Sequence, residues 1–329
     1  MKKNIRKYLH IMTTPRKERQ LFMSKALKTA SMIGMLSLAG MAGIMISQPA
    51  GAFERYQEQG DALSMGVDEF TVHVPRGEII VNSYMPSGFT ASSPVWVVIH
   101  GARRGVGRHI GFDYFSVWKP LAEKYNALLL LPEFTADKWP TSWQFQTGNV
   151  RTPKLHAIAP RNQGFAVVRK AFAKAVRLTG SQQRKFSLYG HGGGGQWVQR
   201  YMLHTGGHMI DRAIAANPGW YMLPDYQFTF PYGLRGNPIA KSTLRRAFAA
   251  DMVLLLGQAD VSHGDPMRKN ASTNAQGRNR FERGHFYFDR SRRVAGRLGG
   301  RFNWHLHEVP GAGHENREMA GAAAMLLAR

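Results

Sequence analysis

The chain has 329 residues, no cysteine and a formal charge of +23. That length allows one large α/β domain behind a targeting segment. The absent cysteines exclude disulfides, thiol nucleophiles and thiolate metal sites. The charge suits contact with an anionic surface (lipid headgroups, acidic polysaccharide or nucleic acid) or a solvated face that keeps the protein soluble.

The N-terminal segment, residues 1–52, reads as a signal peptide. A basic stretch from Lys2 to Lys28 precedes an apolar run from Ala30 to Ile46 and the small-residue pattern Ala50-Gly51-Ala52. Cleavage is expected between Ala52 and Phe53. A retained membrane anchor is the alternative, but the run is rich in glycine and close to the shortest spanning length, about 17 residues. No twin-arginine pair precedes it, so the expected route is general secretion, to the periplasm or beyond. Residues 1–52 carry +8 of the charge and the remainder +15. The densest basic stretch runs from Arg268 to Arg301 and includes Arg278, Arg280, Arg283, Arg290, Arg292, Arg293 and Arg297. It reads as a solvated basic face. No nucleic-acid-binding motif accompanies it, so no specific nucleic-acid partner is expected.

After Ala52 the sequence alternates strand and helix patterns. Phe70–Val74 and Glu78–Tyr84 form an expected strand pair around Pro75, Arg76 and Gly77. Val95–Ile99 and Leu128–Leu131 are continuous apolar runs of the kind buried on both faces. Between them Tyr114–Tyr125 has helical spacing, with Phe115, Trp118 and Leu121 on one face. Phe165, Val168, Phe172 and Val176 mark a second helix. Phe186–Tyr189 is a short strand, and Trp197–Leu203 opens the helix expected after a glycine run. Ala213–Ala216, Met252–Leu256 and Phe302–Val309 supply later strands, and Glu315–Leu327 a closing helix. Trp220–Ala250, with several Pro, Gly and aromatic residues, reads as a short lid-like excursion. The pattern implies an α/β fold with a doubly wound, mostly parallel sheet in one domain, residues 53–329.

Ligands bind open α/β sheets at the carboxyl ends of the strands. Directly after Phe186–Tyr189 comes Gly190-His191-Gly192-Gly193-Gly194-Gly195-Gln196, in the strand–turn–helix context of a G-x-S-x-G nucleophile elbow. Gly192 stands where that motif has its serine. Asp260 follows the strand Met252–Leu256 and suits the role of orienting an imidazole. His314 follows the last strand in a glycine-rich loop and suits a general base. The order elbow, Asp260, His314 is the α/β-hydrolase order. After Val95–Ile99 comes His100-Gly101-Ala102-Arg103. Backbone N–H groups of Ala102 or Arg103, paired with that of Gly193, would form an oxyanion hole. Trp220 and Tyr221 are candidate substrate-binding residues, as is His191, whose ring is expected to point away from the reaction centre.

The stretches VWVVIHGARR, LAEKYNALLLLPEF, LYGHGGGGQWVQRYM, NPGWYMLPD, LLLGQAD, QGRNRFERG and VPGAGHE carry a resemblance to secreted α/β-hydrolases of the polyhydroxyalkanoate depolymerase-like and esterase-like group. It extends from about Phe70 to the C-terminus. It implies a small-molecule or polymeric ester as substrate or ligand, no cofactor, and the roles just given for Asp260, His314 and the oxyanion loop. Relatives read G-H-S-x-G-G-Q at the elbow, so the nucleophile's role does not carry over to Gly192.

Loss of a serine nucleophile removes about 10⁶ in turnover, roughly 8 kcal/mol. Three readings follow. The chain is a non-catalytic ligand-binding protein, or a hydrolase that has recently lost its serine, or an enzyme in which His314 and Asp260 act as a general base on water or in a lyase-type reaction. Ser187 is expected to point into the sheet and Tyr189 into the core. His204 and His208 have metal-ligand spacing, but two glycines separate them and no glutamate completes a zincin motif, so no metal is expected. The run Gly192–Gly195 lacks the G-K-[ST] ending of a phosphate loop.

Overall fold

The β-branched and leucine-rich segments assemble into one eight-stranded sheet. The structure, a computed structural model, describes residues 62–102, 110–262 and 267–329, all within one compact unit, Gln59–Arg329. The signal peptide, Arg103 and His263 lie outside the described residues. The strands are β1 (Gly66–Val74), β2 (Gly77–Met85), β3 (Val95–Ile99), β4 (Leu128–Pro132), β5 (Phe186–His191), β6 (Ile210–Ala216), β7 (Met252–Gly257) and β8 (Trp304–Val309). Their spatial order is β1-β2-β4-β3-β5-β6-β7-β8. The β1–β2 and β2–β4 pairs are antiparallel and the remaining pairs parallel.

Helices cover both faces, as the alternation predicts. They are α1 (Ile110–Lys124), α2 (Ser142–Phe145), α3 (Gly164–Thr179), α4 (Gly193–Thr205), α5 (Lys241–Ala249), α6 (Ala271–Asn274), α7 (Arg280–Arg297) and α8 (Asn316–Leu327). Successive strand residues point to opposite faces. Val97, Leu130, Leu188 and Leu254 therefore pack with Phe165, Trp197, Phe248 and Tyr287 on one side. Trp96, Leu129, Tyr189 and Leu255 pack with Trp118, Met319 and Leu326 on the other.

Two elements differ from the sequence expectation. The helix after the elbow begins at Gly193, four residues before Trp197, so three glycines form its first turn. Glycine is a poor helix former, but here the turn abuts β3: a Cβ on Gly194 would stand 2.2 Å from the Ile99 carbonyl oxygen. The lid-like stretch divides in two. Residues 241–249 form α5, the crossover helix between β6 and β7, with Leu244, Ala247 and Phe248 buried in the core. The stretch before α5 crosses the strand ends, with Trp220, Tyr221, Met222, Leu223, Phe230 and Leu234 buried.

Candidate active site

Three strand ends meet at Gly192. The end of β5 delivers Gly192 at φ 56° and ψ −109°, a conformation that costs side-chain-bearing residues strain and glycine little. The turn is pinned by the Gly192 N–H, which donates to the Ala216 carbonyl at 2.9 Å. The loops after β7 and β8 are laced together. Gln258 N–H donates to Val309 O at 3.1 Å and Ala259 N–H to Ala312 O at 2.9 Å. Asn217, at the end of β6, is almost fully buried and spans both loops. It accepts from Gly257 N–H at 2.8 Å and donates to the Gly313 carbonyl at 2.9 Å.

This lacing sets the acid and the imidazole. His314 Nδ1 is 2.8 Å from Asp260 Oδ2. The Asp260 side chain is fully buried, and its other oxygen accepts from Arg280 Nη1 at 3.1 Å. Held at Nδ1 by a carboxylate, the His314 ring presents Nε2 toward the elbow. A Cβ built on Gly192 would lie 3.3 Å from that Nε2. A side-chain oxygen one bond further out would be within hydrogen-bonding reach of the imidazole.

The backbones of Gly193 and Ala102 are adjacent. A Cβ on Gly193 would stand 2.8 Å from the Ala102 nitrogen, and both residues line the cleft above Gly192. The N–H groups of a first helical turn have no acceptor within their own helix and are open to a ligand. The cleft, about 180 Å³, is also lined by Gln146, Gln196, Gly219, Trp220, Met267, Arg268, Arg280 and His314.

Of the residues singled out in the sequence, Gly192, Gly193, Ala102, Trp220, Asp260 and His314 come together here, five of them lining the cleft and Asp260 buried behind His314. Tyr221 does not line the cleft. Its ring stacks on Tyr287 at 4.4 Å inside the core, and the Gln276 amide clamps its backbone N–H and carbonyl. Trp220, by contrast, lines the cleft. His191 also differs from expectation. Its ring lies 4.7 Å from the His314 ring rather than pointing away, and it is buried. Burial, reinforced by the neighbouring His314 and Arg280, holds its pKa well below the ordinary value, so it is neutral. Ser187 is buried in the sheet and Tyr189 donates to Asn316 Oδ1 at 3.0 Å. His204 is half-buried beside Asn237 and Phe165.

Sequence reasoning missed Asn217, Gln196, Gln146, Arg268 and Arg280. Gln196 had a signal: it sits four residues beyond Gly192, one helical turn along the same face. Arg280 had another. A cation in the first turn of a helix opposes the helix dipole, which marks it as paired with an acid elsewhere. The basic stretch is correspondingly not a plain solvated face. Arg280 and Arg283 are buried, and Arg290 pairs with Asp225 at 2.7 Å.

No family model matches the chain, and no curated protein matches it. Solved structures do. Poly(aspartic acid) hydrolase-1 from Sphingomonas sp. KT-1 is 29% identical with a TM-score of 0.77, over 81% of this chain and 100% of that one. The poly(3-hydroxybutyrate) depolymerase of Bordetella parapertussis is 29% identical with a TM-score of 0.74, over 82% of this chain and 90% of that one. A thermostable esterase shares the fold at 14% identity and a TM-score of 0.50, over 79% of this chain and 60% of that one. The chain thus has the α/β-hydrolase fold, and its structural neighbours are polymer depolymerases and esterases of that type.

Proposed function

We propose that this chain is an exported α/β-hydrolase-fold protein of ester or polyester hydrolase ancestry that binds an ester in the Gly192 cleft without serine-hydrolase turnover. The observation that carries the reading is the 3.3 Å between a Cβ at Gly192 and Nε2 of His314. On this reading Asp260 is the acid, His314 the base and the Gly193 and Ala102 N–H groups the oxyanion donors around a residue with no side chain. A bound ester carbonyl would accept from the backbone N–H groups of Gly193 and Ala102. No acyl-enzyme would form at Gly192, which offers His314 no hydroxyl to activate. The two neighbours at 29% identity, named for polymer hydrolysis, support an extended ester or related carbonyl chain as the ligand. Export rests on the pattern of residues 1–52. N-terminal sequencing of exported protein should begin at Phe53.

Replacing Gly192 with serine tests the reading. Gly192→Ser should gain hydrolysis of short activated esters and labelling by a fluorophosphonate, while the native chain shows neither. Ordinary ester turnover and fluorophosphonate labelling by the native chain would overturn it. A second reading is favoured by the buried Asp260 behind a half-exposed His314. The pair could act as a general base on water, or in a lyase-type step, in the space left by the missing side chain. Turnover by the native chain that vanishes in His314→Ala, without fluorophosphonate labelling, would select it.

A further inference from the structure

The cleft is cationic around Trp220. Two guanidinium groups lie over the Trp220 ring, Arg200 4.2 Å and Arg268 5.0 Å from its centroid. Arg200 is fully buried and bonds only to carbonyls: Gln196 O at 2.8 Å, Pro231 O at 3.3 Å and Gln146 O at 3.5 Å. Burial pushes its pKa down to about 9, and Arg268 contributes to the shift. Arg268 is exposed at the cleft mouth, and its side chain donates to neutral hydroxyls: Ser142 Oγ at 3.1 Å and Tyr232 Oη at 3.4 Å. None of the ion pairs among the described residues includes either arginine. Among the described residues the cleft lining contains no carboxylate, and the nearby Asp260 is already shared between Arg280 and His314. At the floor, Gln196 is buried and its Oε1 has no hydrogen-bond partner.

Two cations over one tryptophan, with no acidic partner among the described residues, make a site for an anion, and the unpartnered Gln196 oxygen beside them asks for a hydrogen-bond donor. We infer that the ligand of this cleft carries a free carboxylate near its ester or amide carbonyl. The carboxylate is bound by Arg268 at the mouth, and a hydrogen-bond donor of the same unit, such as an amide N–H, donates to Gln196 Oε1. A guanidinium matches a carboxylate in a two-bond fork, a geometry that lysine does not offer. The buried charge of Arg200 adds attraction that solvent screens less than it screens surface charge. The inference rests on the cleft being the ligand site, as proposed above.

The test is equilibrium binding to the native chain at low ionic strength. The probes are monomethyl succinate, its uncharged dimethyl ester, and a short β-linked aspartate oligomer. Both carboxylate probes should bind at least tenfold more tightly than dimethyl succinate. Arg268→Gln should remove that advantage while dimethyl succinate binding is retained, and Arg268→Lys should restore only part of it. Tighter binding of the oligomer than of the monoester, per carboxylate, assigns the site to a polyacid chain; equal binding assigns it to a small acid. Dimethyl succinate binding as tightly as the charged probes, no binding of either carboxylate probe, or equal loss of all three in Arg268→Gln would overturn the inference. Turnover of the monoester by the native chain would sink the non-catalytic reading alone. The Arg268 dependence of KM would then carry the same comparison.

Discussion

At Gly192 the missing atom matters in two directions. A side chain held at φ 56° stores on the order of 1–3 kcal/mol of strain, which glycine relieves. Gly192→Ser should therefore melt at a lower temperature than the native chain while gaining esterase activity. A scanning calorimetry trace beside an activity assay would show both, and a more stable serine variant would contradict the strain argument. Arg280 is the second decisive residue. Its guanidinium and the Asp260 carboxylate form a buried pair, so removing one partner leaves the other charge poorly compensated. Arg280→Gln should cost about 3–5 kcal/mol in urea unfolding. A loss below about 1 kcal/mol would place Arg280 outside the support of Asp260.

The elements converge through close backbone approach. Helix α4 leaves the elbow against the end of β3, and any side chain at Gly194 would strike the Ile99 and His100 carbonyls at 2.2 Å and 2.7 Å. Gly194→Ala should cost about 3 kcal/mol or more and disturb the Gly193 and Ala102 donors together. Circular dichroism melts would show the first effect. Asn217 acts between elements as well, tying the end of β7 to the His314 loop through two side-chain hydrogen bonds. In a Gly192→Ser background, Asn217→Ala should lower kcat with little change in KM, because it loosens the imidazole rather than the cleft wall. Most strands and helices were legible from apolar runs and helical spacing. The first turn of α4 was not, since glycine's poor propensity argued against helix where tertiary contact demanded it.

Across the whole molecule, burial of neutral histidines links folding to pH. His204 is held down to about 3 and His191 well below its ordinary 6.5, both chiefly by burial. Above pH 6.5 the folded and unfolded chains alike hold these rings neutral. Below it the unfolded chain takes up protons that the folded chain refuses. For His204, stability is therefore lost as pH falls from 6.5 toward 3, at up to about 1.4 kcal/mol per pH unit, and His191 acts in the same direction. Urea unfolding at pH 5 should give a free energy on the order of 2 kcal/mol lower than at pH 7 for His204 alone, and His204→Gln should flatten that part of the slope. An equal pH dependence in His204→Gln would rule out this source.

The sequence by itself determined the order of the strands and helices along the chain, the elbow turn with glycine at its centre, and the identity of Asp260 and His314. Each of these is written in local periodicity or in motif spacing. Tertiary structure alone decided that Arg280 backs Asp260, that Asn217 holds the His314 loop, and that His191 packs on His314. It also turned Tyr221 into the core and set two arginines about Trp220. The reason is physical. Periodicity reports which face of an element is apolar, whereas a charge's partner and a ring's direction depend on which distant segments the sheet brings within a few ångströms.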